Sequence, residues 1–509
     1  MRSKAVIHSF IQLSIWIGTL LIAQLSFCAE PVDGQDGMIV RYRQPQNDLI
    51  QTRRRAQEQS GQIPTEVKIL NESEGLVKLR FATHTQSEIA RQRLIQSDDV
   101  VHVANNFLYR PALFLQSRPV REFSQSGMLP YANLKKLLRS VPEVNLIFPP
   151  LVEGPDPFLS KDWAWNNIHM PTNWIPSFGF TPITVAVIDS GVDYRHEDLM
   201  GAMWHKPSNP LEVGYDFVHN SSKPYDVVKF DLEGCFKSLS CKLGGNVGEY
   251  LPNPGHGTHC AGHIGAVANN SIGIQGVGAQ AKAQIMALKF FYDPGEEMAG
   301  MADDAAAIQA MDYAIENGAR VINVSWGSRF DRVTAQFSEL KQAFIRAQQA
   351  GVIVVVAAGN DGIDQDTVAN PAYPAAFNLD NLIVVGAHDP DDHFAEFSSY
   401  GAKSVHISAP GVGIFSTMAG NRYGDQMAIY RDEKGGLMQM SWDGTSMAAP
   451  IVAGAVALVW SYYPYENYHQ IRHRILSSVR KIPGLQGKVA TGGALDVSAA
   501  LGELPSHLP

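Results

Sequence analysis

The stretch DGTSMAAPIVAG, residues 443–454, reads as a tight turn that delivers Ser446 onto the start of a helix. The apolar run from Met447 through Ile451, Val452, Val456 and Leu458 to Trp460 is too continuous for a surface helix, so this one is buried. A hydroxyl at the N-terminus of a buried helix lies among backbone N–H groups that lack intrahelical partners, and these favour negative charge beside it. Pro450 is expected in the first turn, where its missing N–H costs little. Taken alone, Ser446 reads equally well as an N-cap.

The surrounding chain argues for chemistry. From about Phe158 onward, continuous apolar runs alternate with helical stretches, which predicts a mostly parallel sheet covered on both faces. The clearest strands are 183–188, 321–324, 352–357 and 382–385; the helices expected are 303–317, 334–349 and the one that begins at Ser446. The segment VAVIDSGVD, residues 185–193, puts Asp189 at the carboxyl end of a buried strand, where open α/β sheets place their sites. In GHGTHCAG, residues 255–262, glycines flank His256 just before an apolar helix at 260–267, and small neighbours let another segment approach the imidazole.

Serine is a weak nucleophile at neutral pH and needs a general base, which in turn needs an acceptor to hold its tautomer. Asp189, His256 and Ser446 supply those three groups in the chain order Asp, His, Ser. VVVAAGNDG, residues 354–362, ends in Asn360, whose amide offers a donor for an oxyanion beside the Ser446 N–H; read alone, it is a turn residue. VINVSWGS, residues 321–328, is a strand ending at a glycine, or, functionally, an edge where Ser325, Trp326 and Gly327 pair with an extended peptide.

These five segments in this order resemble the subtilisin-like serine proteases over residues 158–502. The resemblance implies a three-layer α/β fold, Asp189, His256 and Ser446 as the triad, Asn360 as the oxyanion donor, and Ser325–Gly327 as one wall of the substrate cleft. It also places Asp361 and Ala372 at the primary pocket. GHGTHC, with Cys260, is similar to the proteinase K branch and sets a thiol beneath the triad. Asp198 and NNSIGI, residues 269–274, resemble the family's calcium elements, with ligands expected from Asp198, Asn270 and the carbonyls of Ile272 and Ile274. Residues 419–441 are longer than the family's compact loop.

Two rival classes compete with this reading. His256, His259 and His263 stand at helical spacing, as in a zinc hydrolase, but HCAGH lacks the glutamate such a site uses as base. A catalytically dead binding module of the same fold is disfavoured because Asp189, His256, Asn360 and Ser446 are all intact.

Ahead of this core, residues 38–111 show a β-α-β-β-α-β order, closing with the strand VVHVANNFLY, and resemble the propeptide domain of subtilisin-like proteases, a small α+β, ferredoxin-like fold. A proline-bearing linker follows at 112–157. A zymogen is expected, its own propeptide acting as intramolecular inhibitor, with self-cleavage near Arg110–Leu115 and trimming around Pro149–Pro157.

Residues 1–28 open with Arg2 and Lys4 before an apolar run, the pattern of a secretory signal, so a secreted protein, extracellular or periplasmic, is expected. No later run is long enough to predict a transmembrane helix. An oxidising destination permits a bridge between Cys235 and Cys241 across five residues, against two free thiols or part of a metal site, and leaves Cys260 unpaired. A net charge of -9 without a long basic run speaks against nucleic acid as a partner. The expectation is a monomeric endopeptidase acting on protein or peptide substrates.

Overall fold

The computed structural model describes residues 37–112, 117–119, 155–171, 181–228, 253–296, 298–431 and 437–502. The predicted signal, the linker elements near 133–148, and Cys235 and Cys241 lie outside the described residues.

The N-terminal unit consists of β1 (Met38–Tyr42), α1 (Leu49–Ser60), β2 (Glu66–Asn71), β3 (Leu76–Arg80), α2 (His84–Ile95) and β4 (Val100–Asn105). Asp48 starts α1 by accepting the N–H groups of Ile50 and Gln51, and Thr83 starts α2 by accepting that of Gln86. The strands form one antiparallel sheet in the order β2-β3-β1-β4. Alternation along β1 sends Val40 toward Ala56, Ala90 and Leu94 of the two helices, while Ile39 enters the core of the larger unit with Leu70 and Leu76.

The expected single strand over VVHVANNFLY is two. At Asn106 the side-chain amide donates to Asp303 (3.1 Å) and accepts the Ala305 N–H (3.1 Å), turning the chain out of its sheet. β5 (Leu108–Pro111) then pairs elsewhere, because Phe107 stacks on Phe330 and Tyr109 meets Trp326 edge-on. Farther on, β6 (Ser117–Pro119) is a short separate strand.

The larger unit is built on a nine-stranded sheet. Its strands are β7 (Thr184–Asp189), β8 (Gly214–Asp216), β9 (Gln284–Lys289), β11 (Val321–Val324), β13 (Ile353–Ala357), β15 (Leu382–His388), β16 (Ile407–Pro410), β21 (Arg480–Lys481) and β22 (Gly493–Ala494). They lie in the order β21-β22-β16-β15-β13-β11-β7-β9-β8, parallel except for β21 on β22.

Alternate residues face opposite layers. Val185, Val187, Ile353 and Val355 pack with α3 (His256–Gly265) and α7 (Thr445–Tyr462), whereas Ala186, Ile188, Ile322 and Val354 pack with α4 (Asp304–Glu316) and α6 (Glu339–Gln349). Burial on both faces is why these strands read as unbroken apolar runs. The fold is thus the expected three-layer α/β architecture.

Two helices differ from expectation. α3 begins at His256 itself rather than at 260, and the stretch expected as one helix at 334–349 is α5 (Arg332–Gln336) and α6, parted at Phe337 and Ser338. Asp331 caps α5 through the N–H groups of Val333 and Thr334, which starts it two residues early. Among the described residues α7 alone is long and apolar enough to cross a membrane, and 94% of it is buried in the core.

Among the described residues three small sheets accompany the nine-stranded one. β10 (Ala302–Asp303), β12 (Trp326–Arg329) and β14 (Ala372–Tyr373) join β5 in the order β10-β5-β12-β14. β17 (Ser416–Met418) pairs with β18 (Arg422–Gly424), and β19 (Gln426–Arg431) pairs with β20 (Leu437–Ser441), which also carries β6.

Candidate active site

β7 ends at Asp189 and α3 starts at His256; the two meet through a hydrogen bond from the His256 Nδ1–H to Asp189 Oδ1 (2.8 Å) between fully buried side chains. Gly257 makes this approach possible. A Cβ there would stand 2.1 Å from the Gly191 carbonyl oxygen and 3.0 Å from the Asp189 Cβ. Burial disfavours charge on the imidazole, but the Asp189 carboxylate outweighs it and holds the His256 pKa well above the ordinary histidine value.

Asp226, which the sequence reading missed, fastens the His256 segment. Its carboxylate accepts from the Thr258 N–H (3.0 Å), the Thr258 hydroxyl (2.5 Å), Asn253 Nδ2 (2.7 Å) and Ser190 Oγ (2.9 Å). No local pattern marks it, since an Asp after a Pro-Tyr pair looks like any turn residue.

Ser446 is the second residue of α7 rather than its cap; Gly444 occupies the cap position. Pro450 is the sixth helical residue, beyond the first turn where it was expected. Its missing N–H leaves the Ser446 carbonyl without an i+4 donor, and the Ser325 hydroxyl (3.0 Å) and Cys260 thiol (3.5 Å) donate to it instead. Cys260 is a free, buried thiol; its sulfur lies 3.9 Å from His256 Nδ1, and burial raises its pKa. The Ser446 hydroxyl donates to the Ser325 carbonyl (2.9 Å), while His256 Nε2 is buried without a hydrogen-bond partner among the described residues.

Asn360 sits just beyond β13. Its side-chain carbonyl accepts the N–H (3.0 Å) and hydroxyl (2.9 Å) of Thr445, the first residue of α7, which aims its Nδ2 outward. That amide donates to the carbonyl oxygen of Ala112, and the Ser446 N–H donates to the same oxygen at 3.2 Å. The Ala112 N–H in turn donates to the Ser325 carbonyl (2.9 Å), and β5 pairs antiparallel with β12, Trp326 opposite Pro111 and Gly327 opposite Arg110. The opposite wall is β10, with Ala302 opposite Tyr109. Sequence reasoning missed this second edge, because Ala302 and Asp303 look like nothing more than an N-cap. Beside Ala112 a recess is lined by Gly327, Ala357, Gly359, Asp361, Ala372 and Ala375.

The histidine row does not converge. His256 turns to Asp189, whereas His259 stacks on Trp442 with ring centroids 4.1 Å apart and touches His263 edge-on. Burial holds His259 well below the usual histidine pKa and takes His263 down to about 3, so both are neutral.

Asp198 is buried with Asn270 Nδ2 donating to Oδ1 (2.8 Å) and the Ile274 N–H to Oδ2 (2.9 Å). Ile272 enters the loop through its N–H, which donates to Asn270 Oδ1 (2.8 Å). The sequence reading overlooked a second carboxylate: Asp156 accepts the N–H groups of Asn269 (2.8 Å) and Asn270 (2.9 Å). Neither acid has a Lys or Arg partner among the described residues, and burial pushes the Asp198 pKa to about 7. Two buried carboxylates with no Lys or Arg partner among the described residues offer the hard oxygen donors that a hard cation takes. Ligation by Asn270 Oδ1 would require its amide to turn, since Nδ2 now faces Asp198.

A model of the subtilase family matches residues 181–494. The thermophilic serine proteinase of Bacillus sp. (strain AK1) is 34% identical over 349 residues, 66% of this chain and 69% of that protein. Thermitase of Thermoactinomyces vulgaris is 33% identical over 327 residues, 64% of this chain and 91% of that protein. In fold, the chain is similar to fervidolysin from Fervidobacterium pennivorans, a keratinolytic enzyme related to subtilisin, with a TM-score of 0.62 and 24% identity; the match covers 93% of this chain and 62% of that one. A strand-end Asp on a buried His, a Ser at the head of the core helix, and relatives that match over most of their length lead to one conclusion: the chain belongs to the subtilase family and is a serine endopeptidase.

Proposed function

We propose that Ser446 is the nucleophile, His256 its general base and Asp189 the group that orients the imidazole, and that the enzyme processes itself by cutting between Ala112 and Leu113. The observation that carries this reading is the Ala112 carbonyl, whose oxygen receives both the Ser446 N–H and the Asn360 amide, the two donors expected to stabilise a tetrahedral oxyanion. For attack, the Ser446 hydroxyl turns from the Ser325 carbonyl toward His256 Nε2. Its oxygen bonds to the Ala112 carbonyl carbon while the proton passes to Nε2. Collapse of the intermediate breaks the bond to Leu113, and His256 returns the proton to the leaving amine. Water then attacks the acyl-enzyme by the same route, freeing the Ala112 carboxylate and restoring the serine. Ser325–Gly327 and Ala302–Asp303 hold extended substrates by strand pairing on both sides.

The N-terminal unit acts on this reading as a tethered inhibitor, and residues 1–28 as an export signal. Asp156, Asp198, Asn270 and the carbonyls of Ile272 and Ile274 hold calcium, which would tie the segment before β7 to the loop after α3. The bridge between Cys235 and Cys241 remains part of the proposal.

N-terminal sequencing tests self-processing. Wild-type protein is expected to begin at Leu113 or later in the linker, and Ser446→Ala to stay uncut. Identical processing of both would assign the cut to another protease.

A further inference from the structure

β6 lies antiparallel on β20, with Ser117 opposite Met440, Arg118 opposite Gln439 and Pro119 opposite Met438. On its other side β20 pairs with β19, so among the described residues β6 covers what is otherwise an open edge. β20 also runs straight into the serine turn. It ends at Ser441, and Trp442 is fixed by donating its N–H to the Asp425 carbonyl (2.9 Å) and accepting that of Ile414 (3.1 Å). Ala112 thus rests on Ser446, and five residues later in the sequence Ser117 starts a strand on a second edge rooted at the same turn.

An open edge of N–H and C=O groups is a template for another extended chain. We infer that, once the linker has left, the β20 edge binds the fifth to seventh residues beyond the scissile bond of a polypeptide substrate, so that the enzyme favours long, locally extended protein chains over short peptides. The inference rests on the reading that Ser446 cleaves after Ala112, which sets the count: Leu113 is the first residue beyond the bond, and Ser117, Arg118 and Pro119 are the fifth, sixth and seventh.

The register makes the inference specific. Antiparallel ladders alternate pairs that exchange both hydrogen bonds with pairs that exchange neither. Pro119 has no N–H, so its pair with Met438 is of the second kind, and so is that of Ser117, two residues away. Arg118 and Gln439 form the exchanging pair. A substrate seated there depends on the N–H of its sixth residue beyond the bond and tolerates proline at the seventh.

The test uses mature enzyme shown by sequencing to start beyond Pro119. Two quenched fluorescent peptides share all residues up to the scissile bond and end two or eight residues after it. The longer is expected to have about tenfold higher kcat/KM, the worth of two ordinary main-chain hydrogen bonds. N-methylation of its sixth residue beyond the bond removes that gain, and N-methylation of the fifth or seventh keeps it. Equal cleavage of both lengths, a loss on methylating the fifth or seventh, or a mature enzyme that retains residues 117–119 on the edge overturns the inference alone. Failure to cut either peptide sinks the Ser446 reading and this one with it.

Discussion

The carbonyl of Ser446 is free because Pro450 cannot donate to it, and the hydroxyl of Ser325 and thiol of Cys260 use that vacancy to hold the first turn of α7 in place. Replacement of Ser446 by Ala removes one oxygen from this buried turn and is expected to abolish hydrolysis while the thermal transition stays close to that of the wild type. Asn360 has two jobs, orienting Thr445 through Oδ1 and offering Nδ2 to the Ala112 oxygen. Asn360→Ala is expected to lower turnover about a hundredfold to a thousandfold with KM little changed, a range already established for the side-chain donor of subtilisin itself. Full turnover in this variant would remove Asn360 from the oxyanion site. The base must be neutral to accept a proton, and Asp189 raises the His256 pKa. The rate should therefore climb as pH rises through a value above about 6.5, the ordinary imidazole pKa; a pH-rate profile measures this, and a rate already maximal below that value would contradict it.

At the scale of elements, what matters is how the N-terminal sheet is held on α4 and α6. Lys78 on β3 reaches Asp303 (2.8 Å), the cap of α4, with both side chains buried; Arg41 on β1 and His102 on β4 both meet Glu339 of α6, at 2.6 and 3.0 Å. Asn71 donates to Asp312 of α4 (2.8 Å). Burial alone would raise the Asp303 pKa, but Lys78 outweighs it; at Glu339, burial is likewise outweighed, by His102 and Arg41. Both carboxylates thus titrate below their ordinary values of about 4. A depressed pKa contributes docking stability that is present above the ordinary value and lost as pH falls through the depressed one. Uncut Ser446→Ala protein is expected to show protected amides on β1 and β5 at neutral pH and faster hydrogen exchange there below about pH 4. Lys78→Ala removes the cationic partner of buried Asp303, leaving it the Asn106 amide and the Ala306 N–H, and should weaken docking by about 3 kcal/mol at neutral pH. Unchanged exchange in β5 would show that the aromatic contacts of Phe107 and Tyr109 suffice.

For the whole molecule, Asp156, ahead of β7, and Asp198, after it, both hold the loop that follows α3. A cation bound only by the folded state adds stability by mass action, about 2.7 kcal/mol at a concentration a hundredfold above Kd. Removal of calcium by a chelator is expected to lower Tm by several degrees, with readdition restoring it, and Asp156→Asn should reduce the response. A Tm indifferent to chelator, together with metal analysis free of calcium, would eliminate the site.

The sequence by itself determined the layered α/β fold, because strands buried on both faces must read as continuous apolar runs, and it singled out Asp189, His256 and Ser446 as candidates, because each stands where a strand ends or a helix begins. The β-α-β-β-α-β order of the N-terminal unit was legible for the same reason of periodicity. Only the tertiary structure decided the split of VVHVANNFLY at Asn106, since the turn depends on Asp303 and Ala305, about two hundred residues away. It alone revealed Asp226, Asp156 and the Ala302 edge, whose roles come from partners distant in the chain and leave no local pattern. Above all, it decided that the carbonyl of Ala112 rests on Ser446 and Asn360: a run of residues can mark a candidate serine, but which carbonyl lies against it is set by how the N-terminal unit packs on the larger one.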